Sequence, residues 1–215
     1  MQIVIFGAPG AGKGTQAKIL SNKFNIPHIS TGDILRDSVK RGTQFGLLAK
    51  ETIEKGELVS DDLMGDLVME TLQNLNSNNN GFILDGFPRT VNQAEILLNI
   101  FRTLKIENPY FVVLEADDDV IISRLSMRRA CTSCKAIVNL HDIKNHDVCP
   151  NCGEVGTLYK RKDDEESVIM NRLKVYSAST IPVLDFYKDK FNIITVKGTD
   201  PIDIVTSGII EAIEK

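Results

Sequence analysis

Nine residues near the start of the chain have the composition of a phosphate cradle. Gly7-Ala8-Pro9-Gly10-Ala11-Gly12-Lys13-Gly14-Thr15 follows the apolar run Ile3–Phe6 and opens a helical pattern over Gly12–Phe24. Glycines let successive backbone N–H groups curl onto one anion, and the helix N-terminus adds partial positive charge. Lys13 would supply the full charge on the outer phosphates of a nucleotide. The common pattern has Ser or Thr directly after the lysine to hold Mg²⁺. Here Gly14 comes first and Thr15 second. A second segment, Phe82 through Thr90 (FILDGFPRT), ends another apolar run. Asp85 at the tip of a buried strand beside the glycine-rich loop would organise Mg²⁺ through its water shell. Its alternative role is to cap the next turn. Phe87-Pro88 is a candidate cis peptide, and Arg89 would project from it into the cleft.

The third cluster is metal chemistry. All four cysteines lie in one stretch as Cys131-x2-Cys134-x14-Cys149-x2-Cys152. That is the spacing of two zinc knuckles, and four thiolates close a structural site. Iron fits the same donors. Redox and disulfide readings compete, but neither C-x-x-C opens a helix after a strand, and the clustering is unlike a secreted disulfide framework. His141 and His146 are read as solvent-exposed rather than as ligands.

These groups need a scaffold. Apolar, β-branched runs at Ile3–Phe6, His28–Ser30, Phe82–Leu84, Tyr110–Glu115 and Ile193–Val196 read as strands. Amphipathic helices alternate with them over Gly12–Phe24, Asp62–Leu75 and Asn92–Leu104. Such alternation implies βαβ units and a parallel sheet with helices on both faces. Thr31–Val59 departs from it as two or three short helices broken at Gly42 and Gly56, with Thr31 as a candidate N-cap. So does Met127–Asp164, which has too little apolar volume to hold itself together without a staple. Asp164–Lys190 is a long helical pattern expected to bend at Pro182, and Asn74–Asn80 reads as a solvated loop.

With 215 residues, the chain suits one compact domain carrying inserts. Its 42% hydrophobic and 25% charged content excludes wholesale disorder, collagen and coiled coil. A net charge of −4 argues against general nucleic-acid binding. No apolar run is long enough for a membrane span. The start has no basic flank before its apolar run, so no export signal is expected, and the cytosol is the expected compartment.

Taken together, the P-loop GAPGAGKGT, the STGD at Ser30–Asp33 and the DGFPRT at Asp85–Thr90 resemble the adenylate kinases. The likeness continues through Ser123-Arg124-Leu125, Arg128-Arg129 and Tyr159 to Asp164, and ends at Gly198-Thr199. It is nearest to the long-lid bacterial members, some of which carry a zinc lid. The resemblance implies an α/β P-loop fold with a five-stranded parallel sheet in a core of residues 1–29, 60–126 and 165–215. It implies a helical NMP-binding insert at 30–59 and a lid at 127–164 with a structural Zn²⁺. The implied reaction is ATP + AMP ⇌ 2 ADP with Mg²⁺, by direct in-line transfer in a monomer.

Of nine arginines, six match the family's phosphate-binding positions: Arg36, Arg89, Arg124, Arg128, Arg161 and Arg172. By resemblance, Lys13, Asp85, Arg89, Arg124, Arg128, Arg161 and Arg172 carry the transfer. Gly10, Ala11, Gly12, Lys13, Gly14, Thr15, Arg124, Arg128 and Gly198 would hold ATP. Thr31, Arg36, Ile53, Val59, Gly86, Arg89, Gln93, Arg161 and Arg172 would hold AMP, with the Gln93 amide against the adenine edge. Asp163-Asp164 would orient the lid arginines or hinge the lid, or Asp164 would cap a helix. Relatives usually carry Tyr-His where this lid has Val138-Asn139. The alternatives are a kinase for UMP, CMP or GMP, and a zinc-ribbon module that binds nucleic acid. The second explains the cysteines but not the P-loop.

Overall fold

The computed structural model describes residues 1–75 and 81–214, so the asparagine-rich loop expected over Asn74–Asn80 lies outside the described residues from 76 on. The first half of the chain runs β1 (Gln2–Gly7), α1 (Lys13–Phe24), β2 (His28–Ser30), α2 (Thr31–Arg41), α3 (Gln44–Lys55), α4 (Asp61–Gln73), β3 (Phe82–Asp85), α5 (Val91–Leu104) and β4 (Tyr110–Glu115). The second half continues α6 (Asp118–Ser126), β5 (Arg128–Cys131), β6 (Ile137–Asn139), β7 (Leu158–Tyr159), α7 (Glu166–Val175), α8 (Ile181–Tyr187), β8 (Ile193–Lys197) and α9 (Ile202–Ile213).

Strands β2-β3-β1-β4-β8 form a parallel sheet in that order. Side chains alternate across it, so both faces are buried. Ile3 and Ile5 of β1 pack with Val112 and Leu114 against Ala17 and Leu20 of α1 and Val205 and Ile209 of α9. Val4 and Phe6 face the other way, with Phe111, against Leu97 and Phe101 of α5 and Tyr187 of α8. A third cluster joins Ala8 of the glycine-rich loop to Ile121 and Leu125 of α6 and Ile169 and Leu173 of α7. This packing ties the loop to the two helices that flank the cysteine-bearing segment.

The breaks expected at Gly42 and Gly56 are present, and both glycines are left-handed C-caps at φ 65° and 73°. Two expectations need correction. Thr31 is not the N-cap of α2; Ser30 is, its Oγ accepting from the Asp33 N–H at 3.3 Å. The C-terminal helical pattern is interrupted before Pro182, by a π-helical stretch over Tyr176–Thr180. Pro182 sits in the first turn of α8 instead. A ring there lacks an N–H and crowds the carbonyl four residues back, and the wider π turn accommodates it.

Candidate active site

The glycine-rich loop joins β1 to α1, and Gly12 caps α1 at φ 100°, a left-handed backbone that needs glycine. Lys13 Nζ donates to the carbonyls of Gly7 at 2.7 Å and Ala8 at 2.9 Å. Burial lowers its pKa to about 8. Asp85 opposes that shift, while Arg89, Arg172 and Arg128 add to it. Asp85 ends β3 beside the first turn of α1, where a Cβ at Gly14 would lie 3.7 Å from its Oδ2. The same oxygen is 3.3 Å from His28 Nε2, which projects from β2. Thr31 Oγ1 donates to the Asp85 carbonyl at 3.2 Å. Thr15 is exposed.

Gly198 brings β8's end against the loop. A Cβ there would meet the Ala11 carbonyl oxygen at 2.6 Å, so only glycine permits the approach. Arg124 of α6 donates to the Gly198 carbonyl at 2.8 Å. Arg89 follows the cis Phe87-Pro88 bond. Its Nε donates to the Gly86 carbonyl at 2.7 Å, its backbone N–H to Gln93 Oε1 at 2.8 Å, and its carbonyl accepts from Thr180 Oγ1 at 2.9 Å.

Arg128, Arg172 and Arg36 meet two carboxylates in a 3-10 turn over Lys162–Asp164, while Asp33 takes Arg36 at 2.6 Å and faces Arg161 at 3.9 Å. Asp164 is fully buried. It takes Arg128 in a two-pronged contact, Nε to Oδ2 at 2.8 Å and NH2 to Oδ1 at 2.5 Å, and touches Arg172 NH1 at 3.5 Å. Asp163 pairs with Arg172 at 3.2 Å and Arg36 at 4.0 Å. Burial works to raise the Asp163 carboxyl, but Arg172, Arg36, Arg128 and Arg161 outweigh it and hold it low. Burial depresses Arg161 and Arg172 to about 10 each; Arg36 and Arg128 press on the first, Arg128 and Arg89 on the second. Arg161 Nε is buried with no hydrogen-bond partner among the described residues. The cleft is thus crowded with cations held against one another's repulsion, an arrangement that a polyanion would relieve.

One cleft is lined by Lys13, Thr31, Arg36, Ile53, Val59, Gly86, Arg89, Gln93 and Arg172. Arg161 lines a neighbouring cavity with Arg36, Ile53 and Asp163. Arg124, Arg128, Asp85, Gly10, Ala11, Gly12, Gly14, Thr15 and Gly198 line neither. Lys162–Glu54 at 2.9 Å and Asn171 Nδ2 to the Lys55 carbonyl at 2.8 Å join α3 to the far side of the cleft. His28 was not singled out from sequence. Its signal was β2's place beside β3, where Ser30 pairs with Asp85.

The cysteine segment is a small antiparallel sheet, β6-β5-β7. Its two C-x-x-C turns are alike. Lys135 and Gly153, each four residues past a turn's first cysteine, have φ 60° and 77°, and their N–H groups return to the Cys131 and Cys149 carbonyls. The four sulfurs lie within 4.8 Å of one another, with Cys131–Cys152 at 3.8 Å and Cys134–Cys149 at 3.7 Å. Thiolates on one tetrahedral zinc, at about 2.3 Å each, would stand about 3.8 Å apart. All four are free thiols. Asn151 Nδ2 donates to Cys134 Sγ at 3.4 Å, the kind of outer contact that orients a ligand. His141 and His146 are exposed and outside this group.

The parallel sheet, the glycine-rich loop with its lysine and the arginine-lined cleft define a P-loop nucleotide phosphotransferase. A family model described as adenylate kinase matches residues 5–192. The chain is 48% identical over 217 aligned positions to the adenylate kinase of Methanocella arvoryzae, covering 100% of this chain and 99% of that one. It is 44% identical over 216 positions to the adenylate kinase of Kosmotoga olearia, again covering 100% and 99%. The chain belongs to the adenylate kinase family and is a phosphotransferase.

Proposed function

We propose that the chain catalyses ATP + AMP ⇌ 2 ADP by direct in-line transfer, with both nucleotides in one cleft. The observation that carries this reading is one cleft lined by four cations, Lys13, Arg36, Arg89 and Arg172, with Arg128 pressing on Lys13 and Arg172 and with Arg161 in the adjoining cavity. Phosphoryl transfer asks the protein for positioning and for stabilisation of spreading negative charge. Lys13 and the loop backbone take the triphosphate, with Arg124 holding Gly198 beside the loop. Arg36 and Arg89 clamp the monophosphate. Arg128, Arg161 and Arg172 stabilise the group in flight. Ile53, Val59 and Gln93 flank the monophosphate's base.

Mg²⁺, when bound, would neutralise phosphate charge. Asp85 fits it as a buried carboxylate beside the first turn of α1. Zn²⁺ on Cys131, Cys134, Cys149 and Cys152 would staple the segment, consistent with the sulfur spacing. In this reading residues 1–29, 60–126 and 165–215 form the core, 30–59 the AMP-side insert and 127–164 a lid that excludes water during transfer. A cytoplasmic monomer fits the family pattern. No helix among the described residues is long and apolar enough to cross a membrane.

Titration calorimetry with two adenosines joined by five phosphates tests the shared cleft. One molecule should bind per chain, far more tightly than ATP. Binding no tighter than ATP would contradict it.

A further inference from the structure

Asp61 has no part in the reading above, yet its carboxylate accepts three hydrogen bonds. Thr90 Oγ1 and Asn92 Nδ2 each donate to Oδ2 at 3.0 Å, and Gln93 Nε2 donates to Oδ1 at 2.8 Å. Gln93 is 2% exposed, lines the cleft, and its Oε1 accepts the Arg89 backbone N–H at 2.8 Å. Those two contacts fix which way the amide points. A backbone N–H can only donate, and a carboxylate can only accept. Turned over, the amide would set its oxygen against the carboxylate and its N–H against another N–H. The order of groups along the Gln93 amide is therefore set: donor on the Asp61 side, acceptor on the Arg89 side. One N–H and one lone pair of the amide are left over.

We infer that Asp61 is a specificity-determining positioning residue, which locks the Gln93 amide so that it reads a 6-aminopurine edge and rejects a 6-oxopurine. This rests on Gln93 facing the monophosphate's base. A 6-aminopurine offers an N–H beside a bare ring nitrogen. A 6-oxopurine offers the reverse, an oxygen beside a ring N–H. An amide free to turn over serves both; a locked one serves only the edge whose order matches it, which, with AMP as the acceptor in the reading above, is the first. Buried polar groups left unpaired are what make such rejection strong.

The variant Asp61→Asn puts the lock in conflict. Thr90 and Asn92 hold the position of Oδ2, so they keep the introduced amide's oxygen there and turn its NH2 toward Gln93. The Gln93 amide then cannot satisfy both that NH2 and the Arg89 N–H with its oxygen facing one way. The probes are AMP and IMP, which differ only in this edge. Rates of phosphoryl transfer from MgATP to each give the AMP/IMP ratio of kcat/KM. For the wild type the ratio should be large. In Asp61→Asn it should fall at least tenfold, through a higher KM for AMP, with the KM for ATP little changed.

A purely structural role for Asp61 would weaken both acceptors alike and leave the ratio intact, which would overturn the inference. Gln93→Ala separates the two levels. If it collapses the ratio while Asp61→Asn does not, Gln93 reads the base but Asp61 does not lock it. If the wild type shows no preference, or Gln93→Ala preserves it, the base-reading role itself fails and takes the lock with it. Should Asp61→Asn not fold, through-hydrogen-bond NMR couplings in the wild type decide. Correlations from Arg89 N–H to the Gln93 Cδ, and from Gln93 Nε2 to the Asp61 Cγ, are expected; their absence overturns the lock.

Discussion

Replacing Asp164 by asparagine removes one negative charge from the most buried point of the site while keeping nearly the same shape. Its side chain is wholly inaccessible to solvent and holds both prongs of Arg128 as well as touching Arg172. Breaking a buried pair from one side costs about 3–5 kcal/mol, because the partner is left charged and unpaired. The asparagine oxygen still accepts one of the two Arg128 bonds, which puts the cost near the lower bound, about 3 kcal/mol. For a chain of this length each kcal/mol moves the melting temperature by about 2–4 °C, so a drop of about 6–12 °C is expected. Differential scanning calorimetry would measure it, without ligand and with the five-phosphate dinucleotide at saturation. If Arg128 and Arg172 face the phosphates, the ligand's charge replaces the missing carboxylate and the drop shrinks. A shift below about 2 °C without ligand, or an equal drop with and without it, would refute this account of the arginine cluster.

Lys13 gives a pH prediction. Its folded pKa, about 8, lies below the ordinary 10.5. Between those values the unfolded chain binds more protons, so this group makes stability rise with pH across that window. The stability of the wild type relative to Lys13→Met, from urea unfolding, should therefore improve by about 3 kcal/mol from pH 8 to 10.5. No change would mean that the ammonium is well solvated. Lys13→Ala should lower turnover by orders of magnitude with the fold retained, as read by circular dichroism and the coupled assay. Cys131→Ser should lower thermal stability more than low-temperature activity, and native mass spectrometry should find one metal ion per wild-type chain. Gly198→Ala should raise the KM for ATP at least severalfold, since a Cβ 2.6 Å from a backbone oxygen must push the loop aside.

The sheet was legible because its strands are apolar, β-branched and separated by helical periodicity. Each of the five expected runs lies within an observed strand. Two helices escaped that reading. The α9 segment, IDIVTSGIIEAI, is rich in isoleucine and carries a glycine, a composition that suits a strand as well as a helix. The α6 segment was noticed only for Arg124. The strands β5–β7 are only two to four residues long, too short for an alternating pattern to show, and β5 begins with two arginines.

At the site, Lys13, Arg89 and the cysteines announced themselves by motif and spacing. Asp61 did not. An acidic residue just after Ser60 at a helix start reads as a partner for the helix dipole, and only the fold brings α5 against it. Asp164 illustrates the same limit. Its alternative role as a helix cap fails because Glu165 is the residue that precedes α7, while Asp164 faces inward on Arg128.

The central claim is tested most directly by a coupled assay of phosphoryl transfer from MgATP to AMP, with UMP, CMP and GMP in parallel wells. The account predicts strong transfer to AMP, producing two ADP for each ATP consumed, and little transfer to the other three. Equal or better transfer to another monophosphate, or none to AMP, would contradict it.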